Sequence, residues 1–307
     1  MTAFTPPPAA MRPLASGHRF DAKRHWAASI ELHFGVRDGV TRLVRSRHQG
    51  PLRVQRTFHP EASRPHQKRA SAKSGPCHAY LLHPPGGLVS GDALSIRASV
   101  GSGTHALLTT PAANKLYKAD SHGVAWSQQT RLEVADGGVL EWLPQETLAF
   151  DGSRGRQRTL IDLEGSARCL GWEIMALGRP ASVMPFATGR IDQHFRLRRD
   201  GKPLWVERQP LDPLHARFTG RWGQGGATVQ ATLWAVGLDD EHLAIETLRE
   251  TIPASTRWAV TVRQGVLLLR YLGNERNEAW ALCQSAWEIL RPLLIGRSVH
   301  VPRIWLT

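Results

Sequence analysis

Cysteine is scarce in this chain. Cys77, Cys169 and Cys283 are its only three, widely spaced and with no C-x-x-C pair among them. Neither a zinc ribbon nor a thioredoxin-like motif can be built from that set, and no disulfide framework is expected, which points to a reducing compartment. Long apolar runs are also missing. Stretches such as Val266 to Leu269 are far too short to span a bilayer. The N-terminal MTAFTPPPAAMRPLASGHRF has no uninterrupted apolar core of the secretory kind, so a cytoplasmic location is expected. Catalytic signatures are missing as well. There is no G-x-x-x-x-G-K-[ST], no G-x-G-x-x-G after a strand and no H-E-x-x-H. Ser90 lacks the preceding Gly of a nucleophile elbow, and the fourteen His are scattered. These absences argue against a catalytic step carried by this chain alone.

What is present is basic, turn-rich and rich in tryptophan. Lys and Arg outnumber Asp and Glu by 39 to 26, a net charge of +13, which attracts nucleic acid, anionic membranes or acidic proteins through long-range steering, or simply marks a basic, soluble surface. Twenty-eight Gly and twenty Pro predict many turns, and eleven Trp supply large apolar surfaces for a core or an interface. Residues 1–23 read as a Pro-rich, poorly ordered lead, and 24–307 as a single β domain. The basic stretch Ala62 to Ser74 reads as a surface loop of that domain.

Short alternating runs dominate. Ile30, Leu32 and Phe34 alternate up to Gly35, and Val40 to Arg47 and Leu52 to Phe58 follow as strands. Asp136-Gly137-Gly138 and Asp200-Gly201 read as hairpin turns. Val229, Ala231, Leu233 and Ala235 alternate, as do Trp258, Val260 and Val262. The fold class is therefore mainly β: a layered or helical stack of many short strands, with two helices towards the C-terminus. The helices are Asp239 to Ile252, capped by Asp239 or Asp240, and Asn274 to Leu294. On the second, Trp280, Cys283, Trp287, Leu290 and Leu294 share one face. No internal repeat of 20–50 residues is visible.

Four stretches set polar residues in tight Gly- and Pro-rich frames. His83 to Asp92 (HPPGGLVSGD) offers His83, Ser90 and Asp92, or simply a structural turn held by Asp92. Thr109 to Tyr117 offers Asn114 and Lys115, or a strand-to-loop connection. Glu141 to Gly152 sets Glu141, Glu146 and Asp151 among apolar neighbours, where a carboxylate is costly unless paired or metal-bound. Nearby Arg154, Arg156 and Arg158 are the alternative partners. In Gly171 to Pro180, Glu173 either pairs with Arg179 or faces a polar cavity.

These stretches, in this order, resemble the urease accessory protein family UreD, also called UreH. The resemblance rests on HPPGGLVSGD (His83 to Asp92), LTTPAANKLY (Leu108 to Tyr117), LEWLPQETLAFDG (Leu140 to Gly152) and GWEIMALGRPA (Gly171 to Ala181). It continues through LLLRYLG (Leu267 to Gly273), Trp287 to Pro292 and Arg303 to Thr307. Ala113-Asn114 and Leu116 depart from the family pattern. The resemblance implies a non-enzymatic chaperone for nickel insertion into apo-urease, acting with a helical UreF-like protein and a UreG-like GTPase. No cofactor is expected to stay bound, and Ni²⁺ is cargo in transit. Ser90, Asp92, Glu146, Asp151 and Glu173 are the expected lining of a nickel path, with His83 and Glu141 as weaker members. Trp280 and Trp287 are candidates for docking the helical partner, or for core packing. Neither membrane nor nucleic acid is expected as a partner. The alternatives are a basic nucleic-acid-binding β protein, favoured by the charge and the Trp content, and a carbohydrate-active enzyme using Glu146 and Asp151.

Overall fold

The structure, a computed structural model, describes residues 26–61 and 75–306, the side chain of Ala181 excepted. The N-terminal lead and the stretch Ala62 to Ser74 lie outside the described residues. The first strands are β1 (Trp26–Arg37), β2 (Val40–Gln49), β3 (Arg53–Phe58), β4 (Cys77–Leu82), β5 (Gly87–Leu88), β6 (Asp92–Val100), β7 (His105–Thr109) and β8 (Asn114–Leu116). Next come β9 (Trp126–Val134), β10 (Val139–Leu143), β11 (Thr147–Ala149), β12 (Arg154–Leu163), β13 (Arg168–Leu177), β14 (Arg190–Arg199) and β15 (Lys202–Leu211). The chain closes with α1 (Ala216–Thr219), β16 (Val229–Val236), α2 (Glu241–Thr251), β17 (Trp258–Arg263), β18 (Val266–Gly273) and α3 (Arg276–Ile295).

Two sheets face each other. Sheet A has the order β15-β14-β12-β9-β6-β1-β2, and the main path of sheet B is β17-β18-β16-β13-β10-β7-β4-β3. From β6 to β14 the chain passes back and forth between them, so it winds in coils. β6, β9, β12 and β14 stack in parallel on one side, and β4, β7, β10 and β13 on the other. The helical stack expected from the sequence is present, although the coils carry no repeated sequence. Packing imposes the repeat here: each coil need only place an apolar residue inward at the same level. Leu32, Ala98, Leu132, Ile161 and Leu197 are in register across five strands of sheet A, all buried.

Two local readings are corrected. Asp136-Gly137-Gly138 does not close a hairpin, because β9 lies in sheet A and β10 in sheet B. It is a corner, and its backbone is tied to neighbouring corners by Ala135 N–H to Val100 O and Arg168 N–H to Gly138 O, both 2.9 Å. A Gly-rich turn between alternating runs looks the same in sequence whether the strands pair or part. Gly35 does not end β1 either; the strand shifts register between His33 and Phe34 and runs on to Arg37. The Asp200-Gly201 turn does join an antiparallel pair, β14 and β15.

Both predicted helices are present. Asp240 caps α2 by accepting from Leu243 N–H, and Gly296 ends α3 in the left-handed region despite Pro292 in the last turn. The buried face of α3 packs on the outer side of sheet B against Leu107, Leu143, Leu170 and Trp172. Among the described residues no helix is long and apolar enough to cross a membrane.

Candidate functional site between the sheets

The inward rows of sheet A change character along the strands. One register step from Leu132 and Ile161 stand Thr130 and Thr159; a further step brings Gln128, Gln157 and Gln193 into line. Facing them on sheet B is the row Glu173, Thr232 and Arg270. Apolar side chains would close the gap between sheets, and amides and hydroxyls keep it polar. They are bonded to each other: Asn114 donates to Gln128 at 3.2 Å, Gln193 to Gln157 at 3.2 Å and Gln230 to Gln193 at 2.6 Å.

Sheet B also opens at this level. Its ladder is interrupted between β4 and β5, β7 and β8, and β10 and β11, at His83 to Gly86, Thr110 to Ala113 and Pro144 to Glu146. Each interruption carries proline: Pro84 and Pro85, Pro111, and Pro144. Proline has no N–H to give to a ladder, so three successive coils bend away together. The opening is a cavity of about 120 Å³, lined by His83, Thr110, Asn114, Gln128, Thr130, Gln145, Gln157 and Glu173, among others. A smaller cavity of about 40 Å³ shares Gln157 and Glu173 and continues past Gln193, Thr232 and Glu207. Both volumes exceed what one water needs.

Glu173 is the wall common to both spaces. Burial pushes its carboxyl up to about 7, with Glu207 adding repulsion, while a hydrogen bond from Thr159 at 2.5 Å works the other way. The position two residues earlier must be glycine: a Cβ on Gly171 would lie 2.6 Å from the Trp234 ring. At the far side, Arg270 donates to both carboxylate oxygens of Glu207, at 2.8 and 2.6 Å, and ties the edges of the two sheets together. Both nitrogens of His83 are buried without a hydrogen-bond partner, and burial holds its pKa below the usual imidazole value.

Of the residues singled out from sequence, Glu173, His83 and Asn114 meet at this cavity; Ser90, Asp92, Glu141, Glu146 and Asp151 are not among the residues that line it. Ser90 accepts from Asp120 N–H at 2.7 Å, and Asp92 accepts from Val89 N–H at 2.8 Å, so both hold the turn into β6. Burial raises the Asp92 pKa, against the pull of that bond. Asp151 accepts from the N–H groups of Ala187 and Thr188 and from the Thr188 hydroxyl. Partial burial opposes its charge, but those bonds prevail and its pKa is lowered. Asp151→Ala should therefore loosen the 187–188 segment and cost about 1–2 kcal/mol by urea unfolding. The wild-type contribution is present above the usual carboxylate range and is lost as pH falls below it.

Glu146 is buried in the interruption between β10 and β11, with one oxygen unpaired and the other 3.5 Å from Arg276. Glu141 belongs to a charge network under α3. It accepts from His105 at 2.7 Å, Trp287 at 2.6 Å and Arg291 at 2.9 Å. Arg291 also donates to Glu61 at 2.8 Å. Trp287 is fully buried and Trp280 half-buried, in a cluster with Trp172 and Trp305. Trp287 belongs to the core, and Trp280 keeps part of its surface open.

Sequence reasoning missed Gln128, Gln157, Gln193, Thr232, Arg270 and Glu207. The available signal was Gln or Thr at alternate positions of otherwise apolar strands, as in Gln128-x-Thr130 and Gln157-x-Thr159. Among the described residues no three His, Cys, Asp or Glu side chains converge as a metal site.

Comparison with known proteins gives a consistent answer. The family model described as UreD urease accessory protein matches residues 27–306. A urease accessory protein UreD of Chromohalobacter salexigens is 64% identical over 292 residues, covering 95% of this chain and 92% of the relative. One from Marinobacter nauticus is 66% identical over 298 residues, covering 95% and 97%. A more distant relative, urease accessory protein UreD 2 of Brucella anthropi, is 40% identical over 284 residues, covering 92% and 98%.

Proposed function

The chain belongs to the UreD urease accessory protein family, and we propose that its two adjoining cavities form a polar passage for Ni²⁺ on its way to apo-urease. It serves urease maturation, and the nucleic-acid reading gains nothing from its relatives. The observation that carries the proposal is Glu173, a half-buried carboxylate that lines both cavities and whose pKa is raised to about 7.

Nickel must pass without being kept. Ni²⁺ stands high in the Irving–Williams order, so several imidazoles or thiolates together would trap it. A path needs stations that admit the ion and release it, as a channel does. Here one carboxylate, one imidazole and a wall of amides and hydroxyls serve that purpose. A carboxyl that titrates around neutral pH exchanges a proton for the cation at little cost. Arg270 on Glu207 closes the far side, its guanidinium occupying the place of a cation until the passage is used.

On this reading Ser90, Asp92 and Asp151 frame the passage, and Glu141 anchors α3. Glu146, next to Arg276, stands at the start of α3, where a UreF-like partner would dock on the helix's outer side. The UreG-like GTPase supplies nucleotide hydrolysis. The chain itself carries out no catalytic step, holds no lasting cofactor and works in the cytoplasm.

The test is the nickel content of urease matured with all other accessory proteins present. Without this chain, nickel should be nearly absent. Ala113→Trp, which places an indole at the cavity wall, should leave partner binding intact and lower nickel loading by roughly tenfold or more. Full loading by Ala113→Trp would refute the passage, and full loading without the chain would refute the maturation role.

A further inference from the structure

The outer face of sheet A carries a second feature, of which only His194 also borders the smaller cavity. On β12, β14 and β15 the outward residues Arg158, His194 and Arg208 are in direct register. The adjoining outward row is Leu160, Arg196 and Val206. Neighbouring strands are only about 4.8 Å apart, so three basic side chains stand side by side with a fourth alongside. Several other cations on this face are matched: Arg97 with Glu133, Arg131 with Glu133 and Asp162, Arg198 with Asp162, and Arg190 with Asp192. Arg158, Arg196 and Arg208 have no carboxylate within 4.0 Å among the described residues. Like charges opposite one another across strands are destabilising. His194 registers the repulsion: burial lowers its pKa first, then Arg208, Arg158 and Arg156, with only Asp192 opposing them.

We propose that this edge of sheet A is a docking surface for an acidic, carboxylate-rich face of a partner protein. The cations are unmatched within the fold, and Arg196 and Arg208 are exposed. Leu160 and the 57% exposed Val206 flank Arg196 and add aliphatic surface to the same patch. That mixture suits a protein surface: a carboxylate rim around an apolar contact. Nucleic acid would call for large aromatic platforms on which bases stack, and neither row contains Phe, Tyr or Trp.

The test uses the full chain at low ionic strength, with fluorescein-labelled decaglutamate and decathymidylate as probes in fluorescence anisotropy. Decaglutamate should bind, and binding should raise the His194 pKa followed by NMR. Arg158→Glu/Arg208→Glu should weaken binding by roughly tenfold or more. Arg45→Glu/Arg47→Glu, the same charge change on β2, should have a much smaller effect. Arg196→Glu alone, an exposed single change, serves if the double variant does not fold. Equal losses from both double variants would reduce the effect to net charge and overturn the proposal. Tighter binding of decathymidylate would replace the protein partner with nucleic acid, and an unmoved His194 pKa would place the contact elsewhere.

Discussion

Glu141→Ala is expected to destabilise the protein by about 3–5 kcal/mol, because it removes the central acceptor of a buried charge network. Glu141 is 1% exposed and Arg291 is fully buried. Trp287, His105 and Arg291 all donate to Glu141, and Arg291 reaches on to Glu61 and to the Ser298 carbonyl. Without Glu141, two buried donors lose their acceptor and the guanidinium keeps only Glu61 as a carboxylate partner. The melting temperature should fall by roughly 10 °C. Glu133→Ala is the comparison. Glu133 pairs with Arg97 and Arg131 on the outer face, in reach of solvent, and its loss should cost about 1 kcal/mol or less. Similar losses for the two variants would show that the network does not fasten α3.

The pH dependence of this lock has a definite sign. Burial works against the Glu141 charge, but the His105 hydrogen bond and the Arg291 charge overcome it and hold the carboxyl at about 2. A carboxyl depressed in the folded state stabilises above its unfolded pKa. That contribution is lost as pH falls from the usual carboxylate range towards 2. Glu61 is shifted the same way, burial again opposing and His78 and Arg291 prevailing.

The strand pattern was legible in the sequence because alternation survives wherever one face of a strand meets the core. Both C-terminal helices were legible from Asp240, Gly296 and the shared face of Trp287 and Leu290. The coil arrangement was not, since Asp136-Gly137-Gly138 serves a corner as well as a hairpin. For the site, an isolated carboxylate in an apolar run identified Glu173, and the Pro-Gly frame identified His83. The same criterion also gathered Glu141, Glu146 and Asp151, whose partners lie far along the chain: Asp151 meets Ala187 and Thr188, Glu146 meets Arg276 and Glu141 meets Arg291. Only folding decides whether a carboxylate faces a cavity or an arginine. The Gln and Thr rows were missed because each is unremarkable on its own strand and forms a layer only when the strands stack in register.

Glu173→Gln is expected to act in the opposite direction from Glu141→Ala on stability, and to be the more damaging to function. The Glu173 carboxyl is raised to about 7 by burial. The folded state therefore binds more protons than the unfolded state between the usual carboxylate range and neutrality. Stability should fall as pH rises through that window and level off above it. A glutamine carries no charge to desolvate and can still accept from Thr159. At pH 8 the variant should be more stable than wild type by about 1–3 kcal/mol, and the pH slope should flatten.

The measurement that tests the passage most directly is nickel per active site in urease matured by the Glu173→Gln chain, with partner binding checked in parallel. The account predicts a chain at least as stable as wild type, in complex with its partners, delivering urease that is largely empty of nickel. Urease loaded with nickel to the wild-type level by that same complex would contradict it.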